Sequence, residues 1–192
     1  MRTDTIQKRL RPLSEQPLQA FLGTGIHTLG LLGWILQQVG RADVYVSTYS
    51  TSEEFLSGFH NLQKKGLIAH SVLLADLKAS RKTVKLSALM SRCFDQVYLG
   101  QNHSKVVLVQ TDKGRCISVI SSQNQTYGGR AECTMISTSQ EIFMDLYCGF
   151  KDIVKQSVLL DGLFPGPTTE DRAVSSHSHS CLGDLRPFGV EE

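Results

Sequence analysis

The stretch that most restricts the fold is Asn102–Glu132, NHSKVVLVQTDKGRCISVISSQNQTYGGRAE. Val106-Val107-Leu108-Val109 is apolar at every position, the pattern of a strand covered on both faces. Thr111-Asp112-Lys113-Gly114 follows with turn chemistry, its glycine able to take positive φ. Cys116-Ile117-Ser118-Val119-Ile120 then returns, so the stretch reads as a buried β-hairpin. His103 and Lys105 are two residues apart and share one face of the outgoing strand. Closing the hairpin about its turn sets His103 opposite Ser122 or Gln123. The His/Lys end of one strand then meets the Ser-Ser-Gln-Asn end of the other. Such a cluster of His103, Lys105, Ser122 and Asn124 suits an anion: lysine and amide hold negative charge, and the imidazole attacks or shuttles a proton.

These residues resemble the HKD motif of the phospholipase D superfamily. His-x-Lys reads His103-Ser104-Lys105, and after the apolar run the small-Ser-x-Asn turn reads Ser121-Ser122-Gln123-Asn124. Glu132 stands where many members carry an acidic residue after the Asn. The pattern departs at Gln110, in the place of the motif's Asp, with Asp112 two residues later, and at Ser121, where Gly is usual. Positions 103 and 110 are ~23 Å apart along a strand, so an acid at 110 cannot orient His103 within one chain.

The resemblance implies an α/β fold: a mixed, largely parallel sheet flanked by helices, with an antiparallel hairpin carrying the motif. It implies that His103 attacks phosphorus to form a phosphohistidine, which water releases. Lys105 would neutralise the phosphate oxygens and Asn124 would donate to the same phosphate. Ser122 would orient His103 or Asn124, and Glu132 would hold the imidazole tautomer through its ring N–H. The superfamily mechanism uses two such histidines. His27, His60, His70, His177 and His179 all lack a Lys two positions on. The second histidine is therefore expected from a second copy, in a twofold homodimer. No metal or other cofactor is expected, because paired lysines supply the positive charge. The bland alternative is an ordinary hairpin whose His and Asn are satisfied polar groups.

Around the hairpin the chain alternates helices and strands. Helices are expected over Ile26–Val39, from a capping sequence at Thr51-Ser52-Glu53-Glu54 to Lys65, over Arg81–Arg92 and over Gln140–Gln156. Strands are expected over Asp43–Tyr49, Leu67–Ala75, Gln96–Leu99 and Glu132–Ser137. Residues 1–17 read as an irregular, charged arm that docks on the domain or on a partner, 18–160 as the domain, and 161–192 as a disordered tail rich in Gly, Pro and Ser. Pro17–Gly40 has no charged residue, yet its glutamines, His27 and glycines favour a buried helix over a membrane span. Gly23 and Gly25 form a poor dinucleotide fingerprint, because no clear strand leads into them. His177, His179 and Cys181 lack a fourth ligand, so no metal site is expected there.

Five cysteines without CxxC spacing, with Cys116 and Cys133 in expected strands, point to a reducing compartment without a disulfide framework. The start carries no signal-peptide pattern, so the expected location is the cytoplasm. A net charge of +2 permits a polyanionic partner without demanding one. Lys78–Lys85 and Arg92 carry five positive charges and no acid. Arg81, Lys82 and Lys85, with Arg130 beside the motif, are candidate phosphate-backbone contacts; a solvated helix face is the plainer reading. The expected function is a metal-independent phosphodiesterase, a nuclease acting on DNA. The alternatives are a phospholipid-cleaving enzyme, and a phospholipase D-like nucleic-acid-binding protein that has lost turnover at its altered motif positions.

Overall fold

The computed structural model describes residues 3–126 and 128–160. The expected tail, with His177, His179 and Cys181, lies outside them. The order is α1 (Thr3–Arg9), β1 (Leu18–Gly23), α2 (Thr28–Val39), β2 (Ala42–Thr48), α3 (Glu53–Lys64) and β3 (Ile68–Asp76). A 3-10 turn (Leu77–Ala79) leads into α4 (Ser80–Cys93), then β4 (Gln96–Gly100), β5 (Val106–Thr111), β6 (Cys116–Ser121), β7 (Glu132–Ser137), α5 (Gln140–Lys155) and β8 (Val158–Leu159). Ser52 caps α3 by accepting from Phe55 N, and Ser139 caps α5 by accepting from Ile142 N.

All eight strands form one sheet, in the order β1-β7-β6-β5-β2-β3-β4-β8. The α/β class, the flanking helices and the antiparallel hairpin agree with expectation. The expectation of a largely parallel sheet is corrected: only β2–β3 and β3–β4 are parallel, and the other five pairings are antiparallel. The reason lies in the connections. Helical crossovers α3 and α4 permit parallel neighbours, whereas the short turn between β5 and β6 permits only an antiparallel one.

Odd-numbered residues of β5 and β6 face the larger core. Val107, Val109, Ile117 and Val119 pack there with Leu31, Leu32, Ile35 and Leu36 of α2 and with Phe55 and Phe59 of α3. The opposite face meets α5: Leu108 and Cys116 pack with Phe143, Leu146 and Tyr147. The hairpin is therefore sandwiched, as its unbroken apolar run requires.

Two local expectations fail. The N-terminal stretch is not irregular, since it contains α1, although it does dock on the domain, with Ile6, Leu10 and Leu13 buried in the main core. Strand β1 does lead into Gly23 and Gly25, and Pro17–Gly40 divides into a strand and a helix. The sequence of β1 does not read as a strand because its outward residues Leu18, Ala20 and Leu22 are apolar and remain exposed, which erases the alternation that marks a half-buried strand. Its inward Gln19 bonds Arg11 N, Arg11 O and Gln16 O, tying the preceding loop to the sheet. Among the described residues no helix is long and apolar enough to cross a membrane. Cys116 is buried and Cys133 is exposed.

At the end of the sheet where β2 and β3 begin, His70 Nδ1 lies 3.4 Å from Asp95 Oδ2. Asp95 Oδ2 also accepts from Ser71 N at 2.7 Å and Ser71 Oγ at 2.9 Å. The hydrogen bond to Asp95 raises the His70 pKa, and the bond from His70 and those from Ser71 lower that of Asp95. Burial raises the pKa of neighbouring Asp43, which pairs with Gln110 in the ladder. The His70 contribution is complete below the ordinary histidine value of about 6.5 and fades as pH rises through its raised pKa. The Asp95 contribution is complete above the ordinary carboxylate value and fades as pH falls through its lowered pKa. Both act together near pH ~5.5. Urea titrations of His70→Gln should show a stability loss about 0.5 kcal/mol larger at that pH than at pH ~9, a small difference because Asp95 is half exposed.

Candidate active site

The site sits at the other end of the sheet, where β2, β3 and β4 finish and β5 begins. Its foundation is a buried asparagine. Asn102 is 5% exposed, and its Nδ2 donates to Ser47 Oγ at 2.9 Å, Leu74 O at 3.1 Å and Thr48 O at 3.2 Å. Its Oδ1 accepts from Ser104 Oγ at 2.7 Å and Ser104 N at 3.1 Å. Ser104 has thereby given its proton to Asn102, so the 2.5 Å contact between Ser47 Oγ and Ser104 Oγ has Ser47 as donor. The three side chains close a ring of hydrogen bonds. Asn102 N donates to Asp76 Oδ2 at 2.9 Å, and Asp76 Oδ1 accepts from Lys78 N at 2.6 Å. One loop is thus fixed to β2, to β3 and to the turn that opens α4.

His103 and Lys105 project from this fixed loop. His103 is exposed and rests near Tyr49, with ring centroids 5.0 Å apart at 52°. Lys105 Nζ lies 3.1 Å from His103 Nδ1 and donates to His103 O at 2.7 Å. An ammonium can only donate, so Nδ1 is the acceptor and the neutral imidazole carries its proton on Nε2. Partial burial lowers the Lys105 pKa, and the Glu132 charge opposes that shift. The ladder pairs Val106 with Ile120, and Ser121 N donates to Lys105 O at 2.9 Å. Continued, this register sets His103 opposite Gln123. Gln123 Oε1 accepts from Thr28 N at 3.0 Å and Thr28 Oγ1 at 3.1 Å, so the site opens on the side of the sheet that carries α2.

The remaining expected residues divide. Ser122 Oγ donates to Glu132 Oε2 and accepts from Cys133 N at 3.0 Å. Ser122 thus holds Glu132, not His103 or Asn124, and the Glu132 carboxylate acts on Lys105 through its charge while Lys105 occupies the imidazole Nδ1. Asn124 is half-buried on the α2 side, and its Oδ1 is buried without a hydrogen-bond partner. Ser121, the departure from Gly, is absorbed locally: its Oγ is 2.8 Å from Thr134 Oγ1 and accepts from Gln123 N at 3.1 Å. Arg81, Lys82 and Lys85 lie on α4, with Lys85 exposed, and Arg130 is exposed in the loop before β7. Asn102, Asp76, Ser47 and Gln123 were not singled out from sequence. A serine inside the apolar β2 and an acid ending the apolar β3 were the available signals.

No protein-family model matches the sequence, and no curated protein does. Solved structures do match. A polyphosphate kinase from Porphyromonas gingivalis superposes with a TM-score of 0.58 at 14% identity, over 87% of this chain and 30% of that one. The chain therefore spans under a third of that enzyme. The phospholipase D family member Nuc from Salmonella typhimurium superposes with a TM-score of 0.56 at 13% identity, over 74% of this chain and 97% of that one. NucT from Helicobacter pylori gives 0.54 at 13%, over 73% and 98%. The chain has the phospholipase D fold. Within it, His103 and Lys105 occupy the loop before β5, Ser122 and Asn124 the turn after β6, and Glu132 the start of β7, three neighbouring strands.

Replacing Asn102 by Ala removes five side-chain hydrogen bonds and leaves buried partners unmet. Equilibrium urea unfolding should show a loss of about 2–4 kcal/mol.

Proposed function

We propose that this chain is a metal-independent phosphodiesterase, a nuclease that cleaves DNA through a phosphohistidine at a site shared by two copies. The observation that carries the reading is the exposed His103 imidazole with the Lys105 ammonium 3.1 Å from its Nδ1, on a loop locked by Asn102. The phospholipase D fold supports phosphoryl-transfer chemistry at that position.

The mechanism follows from the protonation states. An arriving phosphodiester draws Lys105 from Nδ1 to its own oxygens, a charge-assisted bond stronger than one to a neutral imidazole. Nδ1 can then carry the proton, and Nε2 is left with a lone pair for phosphorus. The Nε2–P bond forms as the P–O bond to the leaving alkoxide breaks, and the partner's His103, entering this step as the imidazolium, gives that oxygen its proton and becomes neutral. The same imidazole then takes a proton from water, whose oxygen attacks phosphorus and releases His103. Both Lys105 side chains offset the charge on the phosphorane oxygens.

A nucleic-acid substrate is supported by where α4 starts. Asp76 holds both Asn102 N and Lys78 N, so the basic run from Lys78 to Lys85 begins beside the site loop. Lys85 on α4 and Arg130 in the loop before β7 are exposed and are the contacts offered to the phosphate backbone of a bound DNA. Loss of turnover is the rival reading, but Gln110 lies at the far end of β5 and Ser121 is absorbed by cross-strand bonds, so neither departure touches the imidazole.

Incubation with DNA in excess chelator should give cleavage that His103→Ala lowers by ~10³-fold or more. Acid-labile phosphate should be trapped on His103, and the solution mass should be twice 21.2 kDa. Binding without cleavage, unchanged in His103→Ala, would instead identify a binding protein. Separately, Lys85→Ala should flatten the plot of log affinity against log salt by about 0.7–0.9, the contribution of one phosphate contact.

A further inference from the structure

Helix α1 ends in a cation that lies in line with the candidate site. Arg9 is exposed in the last turn of α1, and Ile6 and Leu10 on either side of it anchor the segment in the main core. Its guanidinium rests against Gly23, the last residue of β1. A Cβ at residue 23 would stand 2.5 Å from Arg9 Nη1 and 3.4 Å from its Cζ, so the missing side chain is what makes room for the guanidinium.

The register of the sheet connects this place to His103. Residue 23 follows Gln19 and Phe21 on the inward face of β1, the face that carries α2 and onto which the candidate site opens. Gly23 pairs with Glu132. Ser121 pairs with Thr134 and Ser122 N donates to Cys133 O at 2.9 Å, so the same register sets Glu132 opposite Gln123, which the hairpin sets opposite His103. Gly23, Glu132, Gln123 and His103 thus form one row across four neighbouring strands, roughly 14 Å long at the usual strand spacing. The imidazole and the Lys105 ammonium stand at one end of the row, and Arg9 stands at the other.

Packing, and not a counter-charge, holds Arg9 there. Among the described residues the ion pairs are His70 with Asp95 and Lys155 with Asp152. Glu132, between the two cationic ends, is held by Ser122. A guanidinium carries five N–H donors in a planar fork that fits two oxygens of one phosphate. A polyanion running along this row passes the Glu132 carboxylate, and a positive charge one strand away offsets that repulsion.

We propose that Arg9 binds a backbone phosphate of the nucleic-acid strand beyond the scissile one, on the β1 side of the site. The inference rests on the nucleic-acid reading above and gives the bound strand a path, from His103 over the ends of β6 and β7 to β1.

The test is binding, measured by fluorescence anisotropy in chelator on a His103→Ala background. The probes are single-stranded deoxythymidine oligomers lengthened stepwise from the dinucleotide. Arg9→Gln should leave the shortest oligomer unaffected, which also reports that the variant is folded, and should weaken the long ones by about 3- to 10-fold. For a long oligomer it should flatten the plot of log affinity against log salt by about 0.7, the contribution of one single-strand phosphate. Lys8→Gln removes an exposed cation from the neighbouring position of α1 and should leave the length dependence intact. An effect of Arg9→Gln that is equal at every length, that Lys8→Gln reproduces, or that is absent overturns the inference. Cleavage by the unaltered chain is scored separately. The length-dependent loss without any cleavage leaves the Arg9 contact standing and removes the phosphodiesterase reading, whereas cleavage without that loss does the reverse.

Discussion

The amide of Asn102 holds together the candidate site at this end of the molecule. Strands β2 and β3 lie in the middle of the sheet, and the chain must leave β4 and re-enter as β5 on the other side of β2. Such a crossing leaves polar backbone groups stranded in a buried place. Asn102 meets them with both ends of one side chain: Nδ2 serves Leu74 O and Thr48 O while Oδ1 serves Ser104. Only an amide offers donors and acceptors in that geometry. His103 follows directly in the chain, so the loop that the ring immobilises is also the loop that presents the imidazole. A reactive group on an exposed loop gains its positional precision from such a shell of fixed neighbours.

The sheet assigns separate tasks to its ends and its faces. Where β2 and β3 begin, His70, Asp95 and Asp43 form an ionisable cluster well away from the chemistry, next to Gln110. Where they end, the ring around Asn102 supports His103 and Lys105. One face is closed by α5 and is purely a packing surface along β5 and β6. The other carries α2, and the parity of β5 and β6 directs Lys105, His103 and Gln123 to that side. The start of α2 therefore becomes a wall of the candidate site, which lies between a strand end and a helix start.

The hairpin was readable because each of its signals is local. An apolar run buried on both sides, a Thr-Asp-Lys-Gly turn and the two-residue spacing of His103 and Lys105 need no knowledge of distant residues. Helices α2 to α5 and strands β2 to β4 and β7 were legible for the same reason. Strand β1 was not, because its exposed leucines imitate burial. Helix α1 was not, because Ile6, Leu10 and Leu13 become a core pattern only when α2 lies beneath them. The direction of most pairings was also hidden, since alternation of helices and strands says nothing about how the later strands fold back.

What the amino-acid order determined by itself was the identity of the candidate site residues and their approximate gathering, because a strand has a period of two and a short turn brings its ends together. The tertiary structure decided which partners those groups take. Lys105 engages the imidazole at Nδ1, Ser122 holds Glu132, and Asn124 lines a hollow beside the start of α2 with its Oδ1 buried and without a hydrogen-bond partner. The bonds that fix the loop beneath them join Asn102 to Ser47, Thr48 and Leu74, segments far apart in the chain that only the sheet order brings within hydrogen-bond distance. Hydrogen bonds weaken steeply with distance and angle, so no residue spacing along a sequence can specify them.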